Sequence, residues 1–141
     1  MIIYGSGLSP FVRKVLFFAH EKGITVDLQM AGMGAGGEDF AAASPFLKRP
    51  GDMAAADAAV RDELPPLFDY LERTIPETGF LVDDRLTLAD ISVVCPLVNL
   101  DHCDVTMDPV RWPRTIAYRN AILGRPGIAD LVAGERRLLA A

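Results

Sequence analysis

The sequence predicts an α+β fold, mostly α: a small β-α-β head followed by an all-helical body. Three observations predict it. A short apolar run, Ile2-Ile3-Tyr4, is followed by a helix-spaced segment and then by an alternating one, Thr25 to Met30. Beyond residue 53 the long apolar segments read as helices, joined by a loop from Pro76 to Asp84 and a connection from Asp104 to Asp108. The third is Arg85-Leu86-Thr87-Leu88-Ala89-Asp90-Ile91, a complete helix start.

The head comes first. Gly5-Ser6-Gly7-Leu8 reads as a turn after the first strand. Ser9-Pro10 opens a helix, with Ser at N-cap and Pro at the first helical position. Phe11, Val12, Val15, Leu16, Phe18 and Ala19 keep helical spacing, and Gly23 ends the helix. Two parallel strands joined by one helix imply a right-handed crossover. Gly32 to Gly37 then reads as a loop, Glu38 to Ala43 as a short helix, and Pro50-Gly51 as a turn. Gly32, Gly34 and Gly37 match the glycine spacing of a dinucleotide fingerprint. No second strand with a terminal acid follows, so a loop is the better reading.

The body follows. Ala54 to Ile75 reads as the longest helix, with Val60, Leu64, Leu67, Phe68, Leu71 and Ile75 on one stripe and a kink at Pro65-Pro66. In the next helix Thr87 fits N-cap and Asp90 reaches back to its N–H, an acidic capping box. Leu86 and Ile91 occupy the staple positions. From Leu88 to about Cys103 that helix is apolar on nearly all sides, apart from a kink at Pro96. It should therefore lie in the centre with other helices packed on it. Pro109 can open a further helix with Trp112, Ile116 and Ile122 buried, and Ile128 to Leu139 is a last amphipathic helix. The organisation is a head (1–45), a junction (46–53) and a body (54–141).

Composition narrows the function. The 141 residues suit one ordinary domain or two very small ones, and half of them are hydrophobic. A net charge of -5 argues against nucleic acid and anionic membrane surfaces as partners. The N-terminus has no basic region before an apolar one, and the apolar run from Ile91 to Leu100 is too short to span a bilayer. Cys95 and Cys103 are eight residues apart on one helix and cannot bridge within it; two buried, reduced cysteines in a cytoplasmic protein is the expectation. Asp101-His102-Cys103-Asp104 has ligand-type residues, but consecutive helical positions point apart, so no metal is expected.

Several segments resemble one family, the glutathione transferases. They are Tyr4 to Val15, Ser44-Pro45-Phe46, Leu64 to Leu71, Phe80-Leu81-Val82, Leu86 to Asp90, Arg111-Trp112-Pro113 and Arg125-Pro126-Gly127-Ile128. The resemblance implies a thioredoxin-like head before the family's helical domain. It also implies transfer of a glutathione thiolate to an apolar electrophile, with glutathione as co-substrate and no other cofactor. Ser9 would activate the thiol, since a hydroxyl at a helix N-terminus favours the thiolate; Ser6 and Tyr4 are second choices. Glutathione would meet Ser9, Pro10, Phe11 and Arg13. Pro50 stands where the family has its cis-proline. From the residues alone, a plain N-cap is the better reading of Ser9 and a solvated helix face the better reading of Arg13; with the resemblance, the two readings of Ser9 stand about even.

One segment of the family pattern is missing. No Glu-Ser or Asp-Ser pair occurs, and no strand-like run lies between Phe46 and Ala54, so the head is expected to be truncated. Its two strands would leave an unpaired edge and an apolar face, which predicts a homodimer. A non-catalytic helical interaction protein is the alternative function.

Overall fold

The computed structural model describes residues 1–30 and 52–140. Strand β1 (Ile2–Gly5) pairs in parallel with β2 (Asp27–Met30), Ile3 opposite Leu28, and helix α1 (Pro10–Glu21) makes the crossover. Gly23 ends α1 as expected, with φ +65°. Its N–H bonds to the His20 carbonyl and the Ile24 N–H bonds to the Ala19 carbonyl, so two terminal carbonyls of the helix are satisfied. The second strand begins at Asp27, two residues later than the alternation suggested.

The helix expected from Ala54 to Ile75 is one rod in three parts. These are α2 (Met53–Ala58), a π-helical turn (Ala59–Glu63) and α3 (Leu64–Thr74). Pro65 has no N–H to give its preceding turn, and the wider π turn lies directly before it, where a simple kink was expected. Helix α4 (Leu88–His102) continues through Pro96, whose ring is exposed. It ends with Asp104 at φ 55° and the Val105 N–H on the Leu100 carbonyl.

Helix α5 (Pro113–Leu123) starts at Pro113, not Pro109. Asp108 accounts for the difference. Its carboxylate accepts from the Val110 and Arg111 N–H groups and its carbonyl from Trp112, folding Pro109 into a turn. Ile116 is only half-buried, and Thr115 and Tyr118 take the inner positions with Ile122. The last helix starts two residues earlier than expected, because Pro126 takes the first helical position of α6 (Pro126–Leu139).

Helix α4 is the centre, as its pattern predicts. Ile91, Val94, Cys95, Leu97 and Val98 are buried, and α1 and α5 pack on it. The main core joins these residues to Phe17 of α1, Tyr118 and Ile122 of α5, and Ile128 and Val132 of α6. A second cluster gathers Phe68, Leu97 and Trp112, with the Phe68 and Trp112 rings edge to face at 5.0 Å.

The capping box is present. Thr87 Oγ1 accepts from the Ala89 N–H, and Asp90 accepts from the Thr87 N–H at 2.7 Å. Asp90 does more than cap. It is fully buried, and its other oxygen accepts from the Leu81 N–H at 2.8 Å and the Tyr118 hydroxyl at 3.1 Å. One carboxylate thus ties the loop before α4 to α4 and α5. Burial, with the Asp90 charge beside it, raises the Tyr118 hydroxyl well above its ordinary value.

Candidate functional site at the N-terminus of α1

The strand–turn–helix of the head brings Tyr4, Ser6, Ser9, Pro10 and Phe11 to one end of β1 and α1. Gly5 lets the strand end approach the helix, because a Cβ there would lie 2.7 Å from a Val12 methyl. In the turn, the Ser9 N–H donates to the Ser6 carbonyl at 3.0 Å, and Ser6 Oγ accepts from the Leu8 N–H at 3.3 Å. The Ser6 hydroxyl therefore shapes the turn.

Ser9 is the N-cap residue, extended at φ −72° and ψ 125°, yet its hydroxyl makes no capping bond. The local chain explains why the backbone turns here. Pro10 has no N–H, and Arg13 donates its N–H to the Ser9 carbonyl at 2.9 Å. The hydroxyl is left partly exposed at the positive end of a helix of 12 residues. The plain N-cap reading of Ser9 is thus not what its hydroxyl does.

Tyr4 is 72% exposed on β1, opposite Gln29, and Phe11 is 75% exposed with the Lys14 ammonium over its ring. Pro50 lies outside the described residues, as do Gly32 to Gly37, the Glu38–Ala43 helix, Ser44-Pro45-Phe46 and most of the junction.

Arg13 departs from the expected solvated face, because it is wholly buried. Its Nε and one terminal nitrogen hold Glu135 of α6 at 2.7 and 2.5 Å, a bidentate pair. Its other terminal nitrogen donates to the Cys95 carbonyl at 2.6 Å and to Asn99 Oδ1 at 2.9 Å, both on α4. It also reaches the Leu8 carbonyl at 3.3 Å, one residue before Ser9. His102 Nε2 lies 3.0 Å from the same Glu135 oxygen. Arg13 therefore joins the turn that carries Ser9 to two body helices.

Sequence reasoning missed Asn99, His102 and Glu135 as its partners. A signal was present: Cys95, Asn99 and His102 fall at i, i+4 and i+7, a polar line on an otherwise apolar helix. A second ion pair, Arg125 with Glu21 at 2.7 Å, closes the other end of the α1–α6 contact. The hydrogen bonds from Arg125 hold the Glu21 carboxyl below its usual range.

Of the two cysteines expected to be buried only Cys95 is; Cys103 is exposed, because the helix ends at His102 and leaves it at the C-cap. The Cys95 thiol is pushed up to about 12 by burial, so it is not a nucleophile at neutral pH. Among the described residues, no group of three or more His, Cys, Asp or Glu could hold a metal ion. None of their helices is long and apolar enough to cross a membrane. A cavity of about 210 Å³ opens in the body between the end of α4 and α5, lined by Leu97, Leu100, Met107, Ile116 and Arg119 among others. It includes none of the residues around Ser9.

Residues 40–134 match the family model for the glutathione S-transferase C-terminal domain. No curated protein matches the chain. A solved structure of an epsilon-class glutathione S-transferase from the housefly, Musca domestica, is similar with a TM-score of 0.71 and 16% sequence identity. The match covers 99% of this chain and 95% of that one. At that identity the likeness is one of fold, and the head expected from the sequence pattern is its truncated counterpart.

Proposed function

The chain belongs to the glutathione S-transferase family, and from that premise we propose that it binds glutathione at the N-terminus of α1 and conjugates its thiolate to apolar electrophiles. The observation that carries this reading is the Ser9 hydroxyl. It sits at a helix N-terminus, partly exposed and released from capping. A hydroxyl there can donate to a sulfur, and the helix dipole favours the anion over the thiol. Glutathione is the co-substrate, and the proposed chemistry needs no metal and no other cofactor.

Roles follow from position. Ser9 stabilises the thiolate. Ser6 holds the turn, and Tyr4 and Phe11 supply apolar surface beside it. Arg13 contributes from below, by fixing the Leu8 carbonyl and hence the Ser9 turn. Pro50 is proposed to belong to the same site. The electrophile would rest on apolar side chains of the body. The proposed setting is the reducing cytoplasm, with two free thiols, and the proposed assembly is a homodimer.

A second reading is a non-catalytic interaction protein. It is favoured by one observation: the cavity in the body is lined without any residue of the Ser9 turn. Conjugation of a chromogenic electrophile by glutathione separates the two. Turnover that falls in Ser9→Ala, with glutathione affinity largely kept, supports the enzyme. Absence of turnover supports the interaction protein.

A further inference from the structure

The Arg13 guanidinium has five N–H groups, and each has an acceptor. The Nε–H donates to Glu135 Oε1 at 2.7 Å. Nη1 serves the Cys95 carbonyl at 2.6 Å and Asn99 Oδ1 at 2.9 Å. Nη2 serves Glu135 Oε2 at 2.5 Å and the Leu8 carbonyl at 3.3 Å. The Leu8 bond is the longest of the five, so it is the first to yield when the rigid, planar guanidinium moves. It is also the bond that reaches the Ser9 turn. The Leu8 carbonyl and the Ser9 N–H belong to one planar peptide unit.

A second donor competes for the same Glu135 oxygen. His102 is the last residue of α4, with 11% of its side chain exposed, and its Nε2 lies 3.0 Å from Glu135 Oε2. A carboxylate paired with arginine only accepts, so the His102 proton sits on Nε2 and is donated to it. Oε2 therefore divides its charge between His102 and Arg13 Nη2. Hydrogen bonds in such a chain polarise one another. Without the His102 donor, Oε2 turns wholly to Nη2 and draws it away from Leu8.

We infer that His102 is a positioning residue for the glutathione site. It acts along one line of contacts: His102 Nε2, Glu135 Oε2, Arg13 Nη2, the Leu8 carbonyl. Its donation keeps Nη2 on Leu8 and so holds the Ser9 hydroxyl where a thiolate would meet it. The inference rests on the reading of Ser9 as the group that stabilises the thiolate, and it makes the far end of α4 part of what governs that group. A histidine at a helix C-terminus also suits the helix dipole. That role has no path to Ser9, so the two have different consequences.

Three substitutions in the full chain test it. His102→Leu fills the space without a donor. His102→Gln keeps a donor near the Nε2 position and carries no charge. Ser9→Ala removes the hydroxyl that the line positions. Conjugation of a chromogenic electrophile is followed together with the NMR signal of the Ser9 amide, and circular dichroism is the folding control. His102→Leu should lower kcat about tenfold, since a small misplacement of a reacting group is enough, and should change KM for glutathione much less. His102→Gln should recover most of kcat. In the Ser9→Ala background, His102→Leu should cause no further loss, because the two residues act as one unit. The Ser9 amide signal should shift in His102→Leu and return in His102→Gln. Where His102→Leu does not fold, His102→Asn stands in for it, polar but too short to reach Glu135.

Losses that multiply in the Ser9→Ala background overturn the inference and leave His102 a helix-end residue. An unmoved Ser9 amide overturns it too, as does failure of His102→Gln to recover. A wild type without conjugation overturns the enzyme reading instead. The Ser9 amide then decides alone: a shift in His102→Leu with return in His102→Gln upholds the line from His102 to the Ser9 turn, and no shift overturns it.

Discussion

Arg13 and Glu135 are 122 residues apart in sequence, and in the fold they form a buried bidentate ion pair at 2.5 and 2.7 Å. The pair joins the head to the last helix. The same guanidinium holds the Leu8 carbonyl, so the position of the Ser9 turn depends on the body.

Removing one partner should therefore be costly. Arg13→Met leaves Glu135 buried without its cation, and the expected loss is about 3–5 kcal/mol of unfolding free energy. Adding Glu135→Leu to it should restore part of that loss, because the pair is exchanged for apolar contact. Urea unfolding of the two single variants and the double variant checks this; strictly additive losses would contradict a direct pair.

Asp90→Ala should destabilise the body more than loss of an N-cap would. Capping alone is worth about 1 kcal/mol. Asp90 is also buried and holds Leu81 and Tyr118, so several donors are left unpaired and about 3 kcal/mol is expected. Denaturant midpoints decide between the two values. Glutathione affinity per folded molecule should not change.

The two thiols should differ. Cys95 is buried with its thiol pushed up to about 12, whereas Cys103 is exposed. A disulfide reagent at pH 8 should titrate one thiol in the folded protein and two after denaturation. Cys103→Ser should leave none reactive in the fold.

Acid should loosen the packing of α1 on α6 and of α3 on α5. The hydrogen bonds from Arg125 hold the Glu21 carboxyl below the usual carboxylate range. Glu72 of α3 feels burial, which works upward. The Thr115 and Arg114 N–H groups and the Thr115 hydroxyl outweigh it, and the net shift is downward. Both carboxyls bind protons more weakly folded than unfolded. Their stabilisation is therefore complete above about pH 4.5 and is lost as pH falls below it. Melting temperature should be flat from neutral pH down to about 5 and then drop, and Glu72→Gln should make the drop shallower. A fall beginning near pH 6.5 would contradict this origin.

Much of the fold was legible because its signals are local. Thr87, Asp90, Leu86 and Ile91 lie within six residues, and Ser9-Pro10 and Gly23 mark the ends of α1. The start of α5 was not, because it is set by the Asp108 side chain competing for backbone N–H groups against a proline rule that suits Pro113 equally well. Arg13 was misread for a related reason. Helical spacing put it on a polar arc, but whether that arc meets water or Glu135 depends on a contact across the whole chain. Ser9 was found in sequence as both N-cap and catalytic candidate, and only the geometry separates its backbone role from its idle hydroxyl.

The central claim is that the N-terminus of α1 binds glutathione for catalysis, and one paired measurement tests it most directly. Melting temperature is recorded with and without millimolar glutathione, alongside conjugation of a chromogenic electrophile. Binding to the folded state should raise the melting temperature by mass action. Ser9→Ala should lower turnover by much more than it lowers that shift. No thermal shift and no conjugation in the wild type would contradict the claim.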